Sequence, residues 1–183
     1  MLMPIRRVVL TGFMGSGKST AGPLLAARLG WRFVDADEVV ETEASMRIAE
    51  IFTREGEAAF RRREREAILR LAGEDGMVLA LGGGAIETDE TRELLLSSPE
   101  TLLIHLQVDL ATALRRCGGT TGTRPVLADE ANLAARYQLR LPLYRMAHLS
   151  VATDPMTPEQ VVEALIAALR DWGTGIRDRG VKS

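Results

Sequence analysis

Residues 8–19 read Val-Val-Leu-Thr-Gly-Phe-Met-Gly-Ser-Gly-Lys-Ser. The apolar run leads into a complete G-x-x-x-x-G-K-[ST] loop, and a helical pattern through Leu24, Leu25, Ala27 and Leu29 follows. Strand, glycine loop and helix in that order mark a phosphate-binding loop rather than a chance glycine-rich turn. The glycines let the backbone curl closely enough for several N–H groups to point at phosphate oxygens. The helix that starts there adds the positive end of its dipole. Gly15, Ser16, Gly17, Lys18, Ser19 and Thr20 are therefore the expected nucleotide-phosphate residues. Lys18 is placed to reach the β- and γ-phosphates, and the Ser19 hydroxyl to sit on Mg²⁺. Of 23 basic residues only Lys18 and Lys182 are lysines. The loop position calls for a compact, mobile point charge, which arginine does not supply.

Around the loop the composition is that of an ordinary globular protein, 46% hydrophobic and 26% charged over 183 residues. That length suits one domain with a full core, read as residues 1–172. Residues 173–183, with glycines and charges after Trp172, read as a mobile tail. A net charge of −2 leaves no basic excess, so nucleic acid is not an expected partner. No apolar run approaches the length of a membrane span, and Met1 to Pro4 lack signal-peptide anatomy. No membrane association and a cytoplasmic location are the expectations. Cys117 is the only cysteine, so an intrachain disulfide is impossible and a cysteine-based zinc site is disfavoured. Its thiol reads as packed or passive.

Five strand-like runs, Arg6–Leu10, Trp31–Val34, Met77–Leu81, Leu102–Gln107 and Leu149–Ala152, alternate with helical patterns. Helices are expected near 17–29, 37–54, 56–72, 89–97, 109–117, 129–146 and 158–172. Short apolar strands separated by helices indicate an α/β fold, a parallel sheet with helices on both faces. The last helix has the clearest start: Thr157 as N-cap, Pro158 at the first helical position and Gln160 to complete a capping box. Pro23, inside the helix after the loop, is expected to kink or open it. Residues 117–128 have little periodicity and carry Arg124, which suggests a lid closing over nucleotide or, more plainly, a solvent loop.

The second strand ends Phe33-Val34-Asp35-Ala36-Asp37. Ligands of open α/β sheets bind at the carboxyl ends of strands. If strand geometry persists, both carboxylates face the phosphates, one near the metal and one near the acceptor hydroxyl. Alternatively Asp37 merely caps the next helix. The third strand runs into Gly82-Gly83-Gly84. Three glycines permit close backbone approach to a ligand, where one would suffice for a turn. In the run Arg61-Arg62-Arg63-Glu64-Arg65-Glu66 most side chains read as a solvated face, with Arg61 singled out by its place near the helix start. Arg140, in the apolar setting Leu139-Arg140-Leu141-Pro142, needs a partner. A convergent Arg61 and Arg140 pair would suit a carboxylate. His105 and His148 read as core or edge residues rather than ligands.

Together Gly12–Thr20, Phe33–Asp37, Gly56–Arg61 after Ile51-Phe52, Gly82–Ala85, Arg124-Pro125 and Arg140–Tyr144 resemble the shikimate kinase family. The order and spacing match from about residue 6 to 170. The resemblance implies a nucleoside-monophosphate-kinase-like fold with a five-stranded parallel sheet of order 2-3-1-4-5, a lid at 117–128 and a substrate-binding region at about 36–63. It implies phosphorylation of the 3-hydroxyl of shikimate, with ATP as co-substrate and Mg²⁺, in aromatic amino-acid biosynthesis. Carried over by motif, Lys18, Asp37 and Arg124 are catalytic, with Asp37 also binding substrate hydroxyls. Ser19 and Asp35 serve the metal. Arg61 and Arg140 bind the carboxylate, Gly82, Gly83 and Gly84 contact substrate, and Phe52 and Phe60 wall the ring. Arg116 lies near adenine. A monomer is expected. A gluconate kinase of the same fold and a non-catalytic nucleotide-binding module are the alternatives. Two departures stand out: Thr153–Met156 has no basic residue for the adenine side, and Pro23 replaces a frequent arginine.

Overall fold

The computed structural model describes residues 5–118 and 127–173. Its sheet contains β1 (Arg7–Thr11), β2 (Arg32–Asp35), β3 (Met77–Ala80), β4 (Thr101–Gln107) and β5 (Leu149–Ala152). All neighbours are parallel, in the order β2-β3-β1-β4-β5. The helices are α1 (Lys18–Leu29), α2 (Ala36–Ala44), α3 (Ile48–Arg54), α4 (Glu57–Leu71), α5 (Asp89–Ser97), α6 (Leu110–Gly118), α7 (Leu127–Tyr144) and α8 (Pro158–Gly173), with a 3₁₀ turn at Ala85–Glu87. The expected α/β sheet and its five strands are present, each within about a residue of the sequence-derived bounds.

Strand alternation sends successive side chains to opposite faces, and here both faces are apolar. Val9, Leu79 and Leu103 share one face with Ile68, Leu71, Leu95 and Tyr144, from α4, α5 and α7. Val8, Leu10, Val78, Leu102 and Ile104 point the other way, onto Leu25 of α1 and Leu165 of α8. Each leucine so buried contributes about 2 kcal/mol. Helix α1 sits tightly on the sheet edge, because a Cβ at Gly22 would collide with the Phe33 ring. The helix runs through Pro23 without ending, and the structure offers no reason for a proline there.

The opposite end of the sheet is held by polar groups, the buried Arg7 and the half-buried His148. The Arg7 guanidinium donates to the carbonyls of Ala72 and Glu74 and to Thr101, joining β1 to the chain before β3 and to β4. His148 accepts from the Leu103 N–H at 3.0 Å on Nδ1 and donates to the Leu96 carbonyl at 3.2 Å from Nε2, beside Trp172. Its role at the strand edge is the one expected. Helix α8 opens with the expected capping box: Thr157 N–H to Gln160 at 2.8 Å and Gln160 N–H to Thr157 at 3.3 Å.

The single helix expected over 37–54 is two helices. The chain leaves α2 at Ser45, which has φ 51° and is the one non-glycine with positive φ among the described residues. Ser45 and Met46 donate back to Thr42 and Glu41, both at 3.2 Å, closing the helix end. The Glu41 side chain then accepts from the Ile48 N–H at 2.9 Å, and that bond holds its carboxyl below the usual range. The apolar pattern runs on across the break, since Val40 and Ile51 pack in one cluster with Phe60, which is why periodicity alone did not show it. Ser45→Gly should raise stability by about 0.5–1 kcal/mol, read as a higher urea midpoint with unchanged slope, because glycine adopts the left-handed conformation at no steric cost.

Candidate active site

Two adjoining cavities, of about 480 and 440 Å³, lie at the carboxyl ends of the strands and share Gly15, Gly17 and Thr20 of the glycine loop. The first is walled by Met156, Pro158 and Val161 and edged by Arg116 and Thr153. Arg116, from α6, donates to the Gly15 carbonyl at 3.0 Å and the Thr153 carbonyl at 2.9 Å, tying the glycine loop to the turn after β5. The turn lacking a basic residue therefore supplies an apolar wall, which the sequence reading did not assign.

The second cavity holds the charges. The Lys18 ammonium donates to the carbonyls of Gly12 at 2.6 Å and Phe13 at 3.1 Å and to Ser16 Oγ at 3.3 Å. Burial lowers its pKa to about 8, against the opposing pull of Asp37 and Asp35. Ser19 Oγ lies 3.4 Å from Asp35 Oδ2. The strand does not continue through Asp37 as one expectation had it. β2 ends at Asp35, whose Oδ1 accepts the Asp37 N–H at 2.9 Å and caps α2. The capping role thus falls on Asp35, and Asp37 occupies the first turn of α2. An aspartate in the extended conformation satisfies a helix-start N–H, so the helix begins one residue earlier than alternation suggested. Both carboxylates nevertheless line the same cavity. Asp37 Oδ1 is buried without a hydrogen-bond partner. Burial, then the nearby Asp35, raises its pKa, with Lys18 and Arg61 opposing.

The three glycines after β3 are where side chains meet backbone. A Cβ at Gly82 would stand 2.6 Å from Asp37 Oδ1 and 2.7 Å from Glu64 Oε1. One at Gly84 would collide with the Arg61 guanidinium, and one at Gly83 would touch Arg140 Nη1 at 3.4 Å. Arg61 extends from α4 over the Phe60 ring, 5.2 Å from its centroid, and donates to Glu64 at 2.7 Å. Phe60 is buried and packs on the exposed Phe52 at 4.9 Å between centroids. Glu64 corrects the reading of residues 61–66 as a mostly solvated face: it is 2% exposed, and burial raises its pKa against the pull of Arg61. Arg140, from α7, finds the partner that its setting required in Glu87, 2.6 Å from Nε. Arg61 Nη2 lies 3.9 Å from the same carboxylate, so the two arginines do converge. Glu64 and Glu87 were not singled out from sequence, since nothing in the spacing ties them to Arg61 and Arg140. Arg124 and most of the 117–128 segment lie outside the described residues.

Beside the glycines stands a buried column. Tyr144 donates to the Gly83 carbonyl at 2.6 Å, and burial pushes its phenol up to about 12. His105 of β4 stacks on the Tyr144 ring at 5.2 Å and 19°. Burial first, then Arg145 and Lys18, lowers the imidazole to about 4, so it is neutral in the folded protein at ordinary pH.

A glycine loop at the end of the central strand of a β2-β3-β1-β4-β5 sheet, opening onto a charged cavity, defines a P-loop kinase of the nucleoside-monophosphate-kinase type. A sequence model described as shikimate kinase matches residues 14–170. The chain is 40% identical over 167 residues to the shikimate kinase of Moorella thermoacetica, covering 90% of this chain and 95% of that one. It is 44% identical to the Streptomyces coelicolor shikimate kinase over 165 residues, 88% and 94% of the two chains. In three dimensions it matches the Acinetobacter baumannii shikimate kinase in complex with shikimate with a TM-score of 0.83 and 32% identity, over 91% and 94% of the chains. The chain belongs to the shikimate kinase family.

The buried column sets a stability limit. Unfolded His105 takes up a proton below its ordinary value of 6.5, and the folded ring does not until about 4. The unfolded state therefore gains protons first, and stability should fall as pH drops through that window while being unaffected above it. His105→Phe should flatten this part of the profile, by at most about 3 kcal/mol between pH 7 and pH 4, measured by urea unfolding.

Proposed function

We propose that this chain transfers the γ-phosphoryl group of ATP to the 3-hydroxyl of shikimate, a step of aromatic amino-acid biosynthesis. One observation carries the substrate reading beyond family membership. Arg61 and Arg140, on different helices, meet at one carboxylate beside the glycine turn, next to an aspartate with an unpartnered buried oxygen. A cyclic acid bearing hydroxyls answers both needs. Its carboxylate takes the guanidinium donors, bidentate geometry favouring arginine over lysine. Its acceptor hydroxyl donates to Asp37, whose raised pKa suits it to take the proton as the phosphoryl group is attacked. Gly82, Gly83 and Gly84 bring backbone against the substrate, and Phe52 with Phe60 walls the ring.

ATP occupies the two cavities in sequence. Adenine lies against Met156 and Pro158 near Arg116, and the phosphates lie along Gly15–Thr20. Lys18, now turned onto the loop carbonyls, swings to the phosphates, whose charge restores its pKa. Ser19 and Asp35 fit Mg²⁺, which takes few protein oxygens and the rest from water and phosphates. The ion supplies charge neutralisation on the transferring group. Arg124, outside the described residues, is assigned to the transferring phosphoryl group by its family motif alone.

A coupled assay of ADP release should show turnover with shikimate and none with gluconate. Folded, ATP-binding protein that does not turn over shikimate overturns the reading. Asp37→Asn should keep fold and ATP binding yet lose most transfer, about 10²-fold or more in kcat, because the amide cannot accept the proton. The arginines should divide by kinetic constant. Arg61→Lys or Arg140→Lys should raise KM for shikimate more than it lowers kcat, since a carboxylate contact is equal in ground and transition states. Arg124→Ala should lower kcat, leaving shikimate affinity without nucleotide little changed. Equal effects on both constants in all three variants would remove the assignment.

A further inference from the structure

We propose that Glu87 is a positioning residue, which holds Arg140 and Arg61 as one preformed clamp before substrate arrives. The inference rests on the reading that these arginines take the substrate carboxylate. Glu87 ends the 3₁₀ turn that follows the three glycines. Its Oε1 accepts from Arg140 Nε at 2.6 Å, and its Oε2 stands 3.9 Å from Arg61 Nη2. One carboxylate thus joins a guanidinium from α4 to one from α7.

Which nitrogen is bound matters. A guanidinium held at Nε has its plane fixed, while its terminal N–H groups remain for another acceptor. Arg140 Nη1 lies at the Gly83 wall, 3.4 Å from where a Cβ would stand, and Arg140 lines the charged cavity with Lys18 and Asp37. Arg140 is 12% exposed and Arg61 23% exposed, so neither guanidinium is free to sweep solvent. An unpartnered arginine would have to order its long side chain at each binding event. The ion pair settles that cost during folding, which is the general gain from preorganisation. Arg61 is doubly fixed, since Glu64 holds its Nη1 at 2.7 Å. Arg140 has Glu87 as the carboxylate on its Nε, which makes Arg140 the side chain that Glu87 governs.

The opposite role, an internal anion that competes with the substrate carboxylate, predicts the opposite sign, so the sign of the mutational effect decides. Shikimate KM, ATP KM and kcat are measured for Glu87→Leu, Glu87→Gln and Glu87→Asp, with shikimate affinity in the absence of nucleotide measured by calorimetry. Glu87→Leu keeps bulk and loses the acceptor, and should raise shikimate KM and Kd about tenfold, with kcat and ATP KM within about twofold. Glu87→Gln keeps an acceptor for Nε and should recover most of that loss. Glu87→Asp, one methylene short of the contact, should fall between and serves if the leucine variant does not fold. Unchanged or tighter shikimate binding in Glu87→Leu, or in Glu87→Asp if it must stand in, overturns the clamp. So does a parallel change in kcat and ATP KM, which marks a general structural loss. These outcomes leave the proposed function intact if the wild type turns over shikimate. A wild type that neither binds nor phosphorylates shikimate overturns both.

Discussion

The absence of three side chains, at Gly82, Gly83 and Gly84, is the constraint on which the site depends. Asp37, Glu64, Arg61 and Arg140 each approach the space where a Cβ would otherwise stand. The polypeptide there behaves as a flat wall against which charged groups from α2, α4 and α7 are pressed. The wall is itself braced, because Tyr144 holds the Gly83 carbonyl and His105 supports the Tyr144 ring. A Cβ at Gly82 or Gly84 would displace a charged group, whereas one at Gly83 would meet Arg140 at ordinary contact distance. Any loosening of the aromatic column would move the wall.

That crowding has an electrostatic logic. Glu64 is buried, and a buried carboxylate without its cation is costly, on the order of 3–5 kcal/mol when one partner is removed. Arg61 is therefore committed to the fold as well as to the site. Its pKa stays raised because Glu64, Glu87 and Glu57 outweigh the penalty of burial. On the phosphate side the balance is reversed. Lys18 has no carboxylate within hydrogen-bond distance in the described structure, rests on carbonyl oxygens and has a lowered pKa. Arg61 and Arg140 thus already have carboxylate partners, whereas Lys18 rests on carbonyl oxygens alone.

Much of this was legible in the sequence. The glycine loop announces itself, since its spacing and flanking periodicity have few other meanings. Five short apolar runs between helical patterns gave the sheet, because a strand buried on both faces leaves an unmistakable trace. Arg61, Arg140 and Asp37 stand out through local patterns and a family resemblance, and the structure brings all three to the glycine turn. What escaped was whatever depends on distance in the chain or on backbone torsion. Ser45 breaks a helix through a left-handed conformation that its residue type does not advertise. Asp35 rather than Asp37 caps α2, a choice between two equally suitable side chains. Glu87 lies 53 residues from Arg140, and no local signal links them. Glu64 looked solvated because it sits in a run of charges, although helical geometry turns it inward between Phe60 and Ala67.

The arrangement of α8 has a practical corollary. Pro158 borders the cavity edged by Arg116, while Trp172, near the far end of the same helix, rests on His148 at the start of β5. The helix therefore crosses the whole height of the sheet and delivers the chain to the end opposite the glycine loop. β1 also begins at that end, where Arg7 is clasped by the loop before β3. The described polypeptide enters and leaves on one side and keeps its mouth on the other. Whatever is joined to the described polypeptide before Ile5 or after Gly173 therefore sets out from the end of the sheet away from the two cavities.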